Sequence, residues 1–182
     1  MWAVTIASAL LFILLAGAWI HEGTSKEWRK VQREYGKILE EGEDFERGIL
    51  QVELPQFKGV DRCISCHPGI EDPRMANVSQ PFTYHPGTYL KDHPLKEYGC
   101  TICHGGQGRA LAREDAFGRE SSTHWPNSLL EGDYIQSSCG KCHLAILDTG
   151  EDKAEKAMEG MDRFLTGKEL FSQEGCLGCH KA

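Results

Sequence analysis

The cysteines constrain this chain more than any other feature. The 182 residues contain eight cysteines, and all eight fall in four copies of one pattern, Cys-x-x-Cys-His. The copies are Cys63-Ile64-Ser65-Cys66-His67 (motif 1), Cys100-Thr101-Ile102-Cys103-His104 (motif 2), Cys139-Gly140-Lys141-Cys142-His143 (motif 3) and Cys176-Leu177-Gly178-Cys179-His180 (motif 4). Their first cysteines, at positions 63, 100, 139 and 176, are 37, 39 and 37 residues apart. Any fold must therefore place four cysteine pairs, each followed directly by a histidine.

Cys-x-x-Cys-His is the signature of c-type haem attachment. Two intervening residues let both thiols bond the two vinyl groups on one porphyrin edge, and the next residue, histidine, binds the iron. Structural zinc, an iron–sulfur cluster or disulfides are the alternatives. Zinc and iron–sulfur sites do not explain a histidine after all four pairs, and a disulfide across two residues closes too short a loop to stabilise much. The pattern therefore predicts four covalently bound haems.

The pattern also assigns candidate site residues. The thioether cysteines would be Cys63, Cys66, Cys100, Cys103, Cys139, Cys142, Cys176 and Cys179, and the proximal iron ligands His67, His104, His143 and His180. Three further histidines in the same region are candidate distal ligands: His85, His93 and His124. Met158 and Met161 are weaker candidates for the fourth iron. His21, a partner subunit, a longer chain or a five-coordinate iron are the alternatives there.

The first twenty residues predict a membrane segment. From Trp2 to Ile20 nineteen residues carry no charge, and as a helix they span roughly 28 Å, close to the ~30 Å hydrocarbon thickness of a bilayer. Trp2 and Trp19 lie at the two ends, where indole rings favour the headgroup level. A cleaved signal with a site at 16–18 is the alternative. Because no Lys or Arg precedes the apolar run, we expect a retained anchor over residues 1–22.

Residues 23–48 are predicted to form a juxtamembrane amphipathic helix. Thr24 and Glu27 have the spacing of a capping box. Apolar side chains follow at steps of three and four residues: Trp28, Val31, Tyr35 and Ile38. This stripe would pack either against the body of the protein or against a partner helix. Residues 49–182 would form the tetrahaem body, mainly α-helical with much irregular chain and little sheet.

The charge balance excludes one class of partner. With 20 Lys and Arg against 27 Asp and Glu, the formal net charge is −7, and an acidic chain without a basic run repels nucleic acid.

Basic residues follow the anchor and none precedes it, which by the positive-inside rule would put the body in the cytoplasm. The haem motifs favour the opposite side of the membrane.

From Val60 onward the chain resembles membrane-anchored multihaem c-type cytochromes of bacterial respiratory or photosynthetic electron-transfer chains. The four motifs carry the resemblance. The runs His85-Pro86-Gly87-Thr88-Tyr89-Leu90 and His104-Gly105-Gly106-Gln107-Gly108 resemble members that accompany quinol-oxidising membrane complexes. Residues 167–176 resemble the opening helix of a class I cytochrome c domain, so 166–182 is expected to be the start of such a domain, cut short. In this family haem is attached outside the cytoplasmic membrane, which implies a periplasmic body on a single-pass inner-membrane anchor.

The resemblance implies electron transfer rather than stand-alone catalysis. Electrons would pass from a quinol-oxidising membrane complex through four haems to a periplasmic cytochrome or another acceptor, and a mobile partner would present a basic face to this acidic chain. A tetrahaem quinol dehydrogenase of nitrate or nitrite respiration is one alternative. In that group the first motif normally lies nearer the membrane than the forty or so residues between Ile20 and Cys63 suggest here. A structural subunit or nanowire cytochrome is the other.

Overall fold

The computed structural model describes residues 2–118, 127–143 and 160–180. Its helices and strands, in chain order, are α1 (Trp2–Ser25), α2 (Glu27–Ile38), β1 (Val52–Leu54), β2 (Gly59–Asp61), α3 (Tyr89–Asp92), α4 (Leu95–Tyr98), α5 (Thr101–His104), α6 (Arg113–Phe117) and α7 (Asp162–Gln173). The 3-10 segments lie at Pro55–Phe57, Cys63–Ser65, Pro73–Asn77, Gly132–Lys141 and Cys176–Gly178, of which Gly132–Lys141 is the longest at ten residues. The predicted class, largely helical with much irregular chain, is confirmed for these residues.

The N-terminal helix α1 is the longest element and buries none of its side chains. Its 24 residues extend about 36 Å at 1.5 Å per residue, and the mean hydropathy of its most apolar stretch is 2.3. A hydrocarbon layer of roughly 30 Å is thinner than this. By length and composition α1 can therefore cross a membrane.

A break at Lys26, whose ψ is 132°, separates α1 from α2. The capping box predicted from Thr24 is wrong, because Thr24 lies inside α1 and its hydroxyl donates to the carbonyl oxygen of Ile20 at 2.9 Å. A threonine that bonds back into its own helix is not available to cap the next one. Only Glu27–Ile38 of the predicted 23–48 segment forms the second helix, and residues 39–48 are irregular.

Half of the apolar stripe of α2 packs on the protein's own body, while Val31 is half-buried and Ile38 stays exposed. Trp28, Gln32 and Tyr35 are buried along one face of this helix. The Tyr35 ring lies 5.0 Å from the ring of Phe45 and 5.7 Å from that of Phe82, measured between centroids. Aromatic pairs at such distances stabilise beyond the area they bury. Of the two interpretations of the stripe, the structure favours packing against the body.

A small antiparallel hairpin leads into motif 1. Strands β1 and β2 pair with Val52 opposite Asp61 and Leu54 opposite Gly59. Leu54 is 1% exposed and lies where α4 packs on β1. The hairpin therefore fixes the chain directly before Cys63.

Few apolar side chains are buried in the described part of the chain. They are Trp28, Tyr35, Leu54, Met75, Leu95 and Met161. Short segments joined by irregular connections enclose little volume, and a chain of this size ordinarily buries most of the surface that it exposes when unfolded. The polypeptide alone thus supplies a thin core.

Candidate cofactor-binding site

All four motifs adopt the same turn. In each, the histidine N–H donates to the carbonyl oxygen of the first cysteine at 2.9 Å, and the second cysteine donates to the same oxygen at 3.0 to 3.2 Å. This single helical turn brings both cysteines and the histidine of a motif close together. No cysteine is in a disulfide, so each motif offers two thiols and one imidazole.

Asp61 joins motifs 1 and 2. Its side chain is 1% exposed, and one carboxylate oxygen accepts from the N–H of Cys63 at 3.0 Å. The other oxygen accepts from the N–H groups of Cys100 at 2.8 Å and Thr101 at 2.9 Å. Burial raises the pKa of Asp61, but these hydrogen bonds outweigh it and hold the pKa below its ordinary value. One ionised carboxylate therefore fixes the start of two attachment turns.

The first cysteines of motifs 1 and 2 are neighbours. The ligand atoms of Asp61, Cys63 and Cys100 all lie within 4.8 Å of one another. A hydrogen bond with the Cys100 thiol, burial and the Asp61 charge raise the pKa of Cys63 well above its ordinary value. Burial and the charge of Glu27 raise that of Cys66 to about 11. These half-buried thiols are therefore held in the protonated form.

Motif 3 lies next to motif 2, against the helix α5. Burial raises the pKa of Cys103, and the neighbouring Cys139 and Cys142 raise it further. The Leu130 N–H donates to the His104 carbonyl oxygen at 2.7 Å, which ties the chain leading into motif 3 to motif 2. The first three motifs thus form a continuous row.

Motif 4 follows α7, whose first turn packs on the segment that precedes motif 3. The Phe164 N–H, in the first turn of α7, donates to Oε1 of Gln136 at 3.0 Å, and Arg163 pairs with Asp133 at 3.1 Å. Both contacts join α7 to the segment that precedes motif 3. His180 is exposed, and its ring lies 6.3 Å from that of Phe171. Motif 4 is the most exposed of the four.

Motif 1 lies beside the N-terminal end of α2, the end nearest α1. The Gln32 side chain donates to the Ser65 carbonyl oxygen at 3.0 Å, and Glu27 is close enough to Cys66 to affect its pKa. Glu27 is two residues beyond the end of α1. The sequence separation between Ile20 and Cys63 is therefore a poor guide to the distance of motif 1 from the end of α1, because the chain turns back after α2.

Two candidate distal histidines face two motif histidines. The ring centroids of His85 and His104 are 6.2 Å apart with an angle of 84° between the planes. Those of His93 and His143 are 5.9 Å apart at 75°. A metal ion held between two imidazole nitrogens at about 2 Å from each puts the ring centres roughly 6 Å apart. The centroid distances of both pairs match this value.

Hydrogen bonds fix the tautomer of three of these rings. Nδ1 of His67, His85 and His93 bonds a backbone carbonyl oxygen, of Pro81 at 3.0 Å, Pro86 at 2.8 Å and Tyr89 at 3.2 Å respectively. A carbonyl oxygen can only accept, so Nδ1 carries the hydrogen and Nε2 is left for a metal, the arrangement usual for metal-ligating histidines. Burial lowers the pKa of His67 and of His104, which favours the neutral ring that metals bind.

The remaining candidates are placed less favourably or lie elsewhere. Met161 is buried, 2% exposed, and directly precedes α7, whereas motif 4 follows that helix. The twelve residues of α7 separate the two by about 18 Å, so the structure does not bring Met161 to His180. His124 and Met158 lie outside the described residues.

Sequence reasoning missed Asp61, Ser65 and Gln32. Ser65 is fully buried, and its hydroxyl accepts from the Leu50 N–H at 2.8 Å and donates to the Leu50 carbonyl oxygen at 3.0 Å. The signal for Asp61 was local, since an aspartate two residues before a turn commonly accepts its N–H. Its bond to motif 2 had no signal in the sequence.

Comparison with protein-family models, curated proteins and solved structures finds no match to this chain.

Proposed function

We propose that the chain is a membrane-anchored electron-transfer protein carrying four c-type haems, one on each Cys-x-x-Cys-His motif. The observation that carries the proposal is the common turn: four motifs use every cysteine, and each presents two thiols and a histidine in the same backbone conformation. Haem iron alternates between the ferric and ferrous states and so accepts and releases one electron at a time.

Three features of the described residues fit this cofactor. The cysteine pairs lie on one helical turn each. The imidazole pairs His85–His104 and His93–His143 are spaced for one iron between them. The thin core leaves an interior for large apolar groups to fill. We assign His67, His104, His143 and His180 as proximal ligands, with His85 and His93 as the distal ligands of the second and third irons.

We take motif 1 as the entry point and motif 4 as the exit point of the electrons. Motif 1 lies at the end of α2 nearest α1, and motif 4 is the most exposed. Electrons would enter from a quinol-oxidising membrane complex near motif 1 and leave near motif 4 to a periplasmic cytochrome or another acceptor. Haem attachment outside the cytoplasmic membrane would place the body in the periplasm, with α1 as the anchor.

Haem content tests the proposal directly. The full chain, produced in a host that attaches c-type haem and purified in detergent, is expected to contain four haems by alkaline pyridine absorbance and by intact mass. Replacing both cysteines of motif 4 with serine should remove one haem, a quarter of the absorbance, because motif 4 is exposed and its loss disturbs the other three least. The matched control replaces Ser137 and Ser172 with alanine and should keep all four. Purified chain containing zinc or disulfides and no haem would contradict the proposal.

A second candidate function is quinol oxidation by this chain itself. The position of motif 1 beside the end of α1 favours it, as does a cavity of about 320 Å³ at the junction of α1 and α2. Trp19, Trp28, Ile49 and Leu111 line part of this cavity, together with Glu22 and Arg29. An apolar cavity with a few polar groups at a membrane surface suits a quinol headgroup.

Reduction by a water-soluble quinol distinguishes the two functions. As an electron-transfer subunit, the oxidised chain should remain oxidised for minutes under anoxic quinol, while dithionite reduces all four haems at once. Rapid reduction by quinol that is lost in Leu111→Trp, which fills the cavity, would establish the second function instead. Leu170→Trp, on the exposed face of α7, is the matched control.

A further inference from the structure

We propose that Asp61 is a positioning residue that clamps the first and second attachment turns together and lowers the reduction potentials of the two cofactors they hold. This inference rests on the proposed function, since it concerns the haems of motifs 1 and 2. It concerns a residue outside all four motifs, and it predicts that these two haems behave as a pair.

The clamp consists of three backbone hydrogen bonds to one carboxylate. Cys63 donates to one oxygen, and Cys100 and Thr101 donate to the other, at 2.8 to 3.0 Å. These donors come from turns about forty residues apart in sequence. Hydrogen bonds from backbone N–H groups to an ionised carboxylate are stronger than neutral ones.

The surroundings hold the carboxylate in place. Asp61 ends β2 and pairs with Val52 of β1. Gly99 has a φ of +64°, and a Cβ there would lie 3.1 Å from both Cβ and Oδ2 of Asp61. The Arg62 N–H also donates to the Gly108 carbonyl oxygen at 2.7 Å, which ties the chain after motif 2 to the end of β2. The side chain therefore has little freedom to move away from either turn.

The charge of this carboxylate reaches both motifs. Its oxygens and the sulfurs of Cys63 and Cys100 lie within 4.8 Å of one another. Among the described residues, Asp61 is the only buried side chain that carries a charge. A buried negative charge is weakly screened and favours the more positive, oxidised state of a nearby iron. It should lower two of the four potentials and leave the more distant pair nearly unaffected.

A divalent cation bound by the same three groups is the alternative use of this cluster. Three N–H dipoles already point their positive ends at the carboxylate, and they would oppose a cation there. Metal analysis of the purified chain distinguishes the two: iron at four per chain without zinc supports the clamp, and stoichiometric zinc overturns it.

Asp61→Asn tests the clamp through the four midpoint potentials. In a variant that keeps four haems, two potentials should shift upward and two should stay within error of the wild type, because the buried charge is removed from only two neighbours. Asp133→Asn, an exposed carboxylate, should shift none. Ser65→Ala removes a buried but neutral hydrogen-bonding group within motif 1, so it should not reproduce the paired upward shift even if it lowers stability. Four unchanged potentials, or four equal shifts, would overturn the proposal.

Hydrogen exchange on the wild-type chain with its haems provides a second measurement if Asp61→Asn does not acquire four haems. The amides of Cys63, Cys100 and Thr101 are expected to be among the most protected of the body. Fast exchange at all three would overturn the clamp whatever the variant does. A chain that contains no haem would overturn the proposed function instead, so the two failures are distinguishable.

Discussion

Replacing His85 or His93 with alanine is expected to open one iron per chain to an external ligand. The centroid of each ring lies about 6 Å from that of a motif histidine, at 6.2 and 5.9 Å, and the hydrogen bond at Nδ1 makes Nε2 the nitrogen that would bind iron in the proposed assignment. Loss of the ring leaves that iron five-coordinate. Carbon monoxide bound by the reduced chain should rise by one equivalent in each single variant and by two in the double variant.

The angles between the rings add a spectroscopic test. Parallel axial imidazoles split the two iron orbitals that interact with them, whereas nearly perpendicular rings leave these orbitals close in energy. The 84° and 75° angles therefore predict strongly anisotropic low-spin ferric resonances for the second and third irons. Each alanine variant should replace one of these resonances with a high-spin signal. Tyr134→Ala, which removes an exposed ring, is the control and should change neither measurement. Carbon monoxide binding that is the same in His85→Ala, His93→Ala and this control would contradict the ligand assignment.

The motifs were readable from the sequence because their chemistry is contiguous. Five consecutive residues form one turn, and the structure gives all four the same hydrogen bonds. The long apolar run gave α1 for the same reason, since a membrane-length helix depends only on local composition. His85 and His93 could be named as candidates from residue type and position alone.

The pairing of those histidines could not be predicted. It depends on how irregular chain folds between motifs 1 and 2, for example on the bond from the His85 N–H to the Ile70 carbonyl oxygen at 2.9 Å. Periodicity carries no information about such segments. Asp61 was missed for a related reason, since it meets Cys100 thirty-nine residues away.

The position of motif 1 also depends on a contact between distant residues that the sequence does not reveal. Counting residues from Ile20 to Cys63 suggested a motif far from the membrane. Gln32 and the buried Ser65 instead hold motif 1 against α2 through the Gln32 bond to the Ser65 carbonyl oxygen. A contact that reverses the chain direction cannot be read from a sequence separation.

Without haem, the body is expected to lose cooperative folding altogether. The described residues bury few apolar side chains, and ordering a long irregular chain costs conformational entropy that so thin a core cannot offset. The test uses a variant in which all eight cysteines are replaced by serine, so that no haem can be attached. In detergent, its circular dichroism should keep the signal of α1 and show no cooperative thermal transition for the body, whereas the haem-loaded chain shows one.

Added zinc distinguishes haem sites from a thiolate metal site as the reason why the cysteines are needed for folding. If the cysteines serve haem, zinc added to wild-type chain produced without haem attachment should not restore the transition, because a zinc ion is too small to replace the apolar volume that four haems would add to the thin core. Recovery of a cooperative transition with zinc would instead identify a thiolate metal site. Hydrogen exchange at Cys100 and Thr101 then shows whether motifs 1 and 2 have come together. The amides of these two residues are protected only when both motifs are held at Asp61.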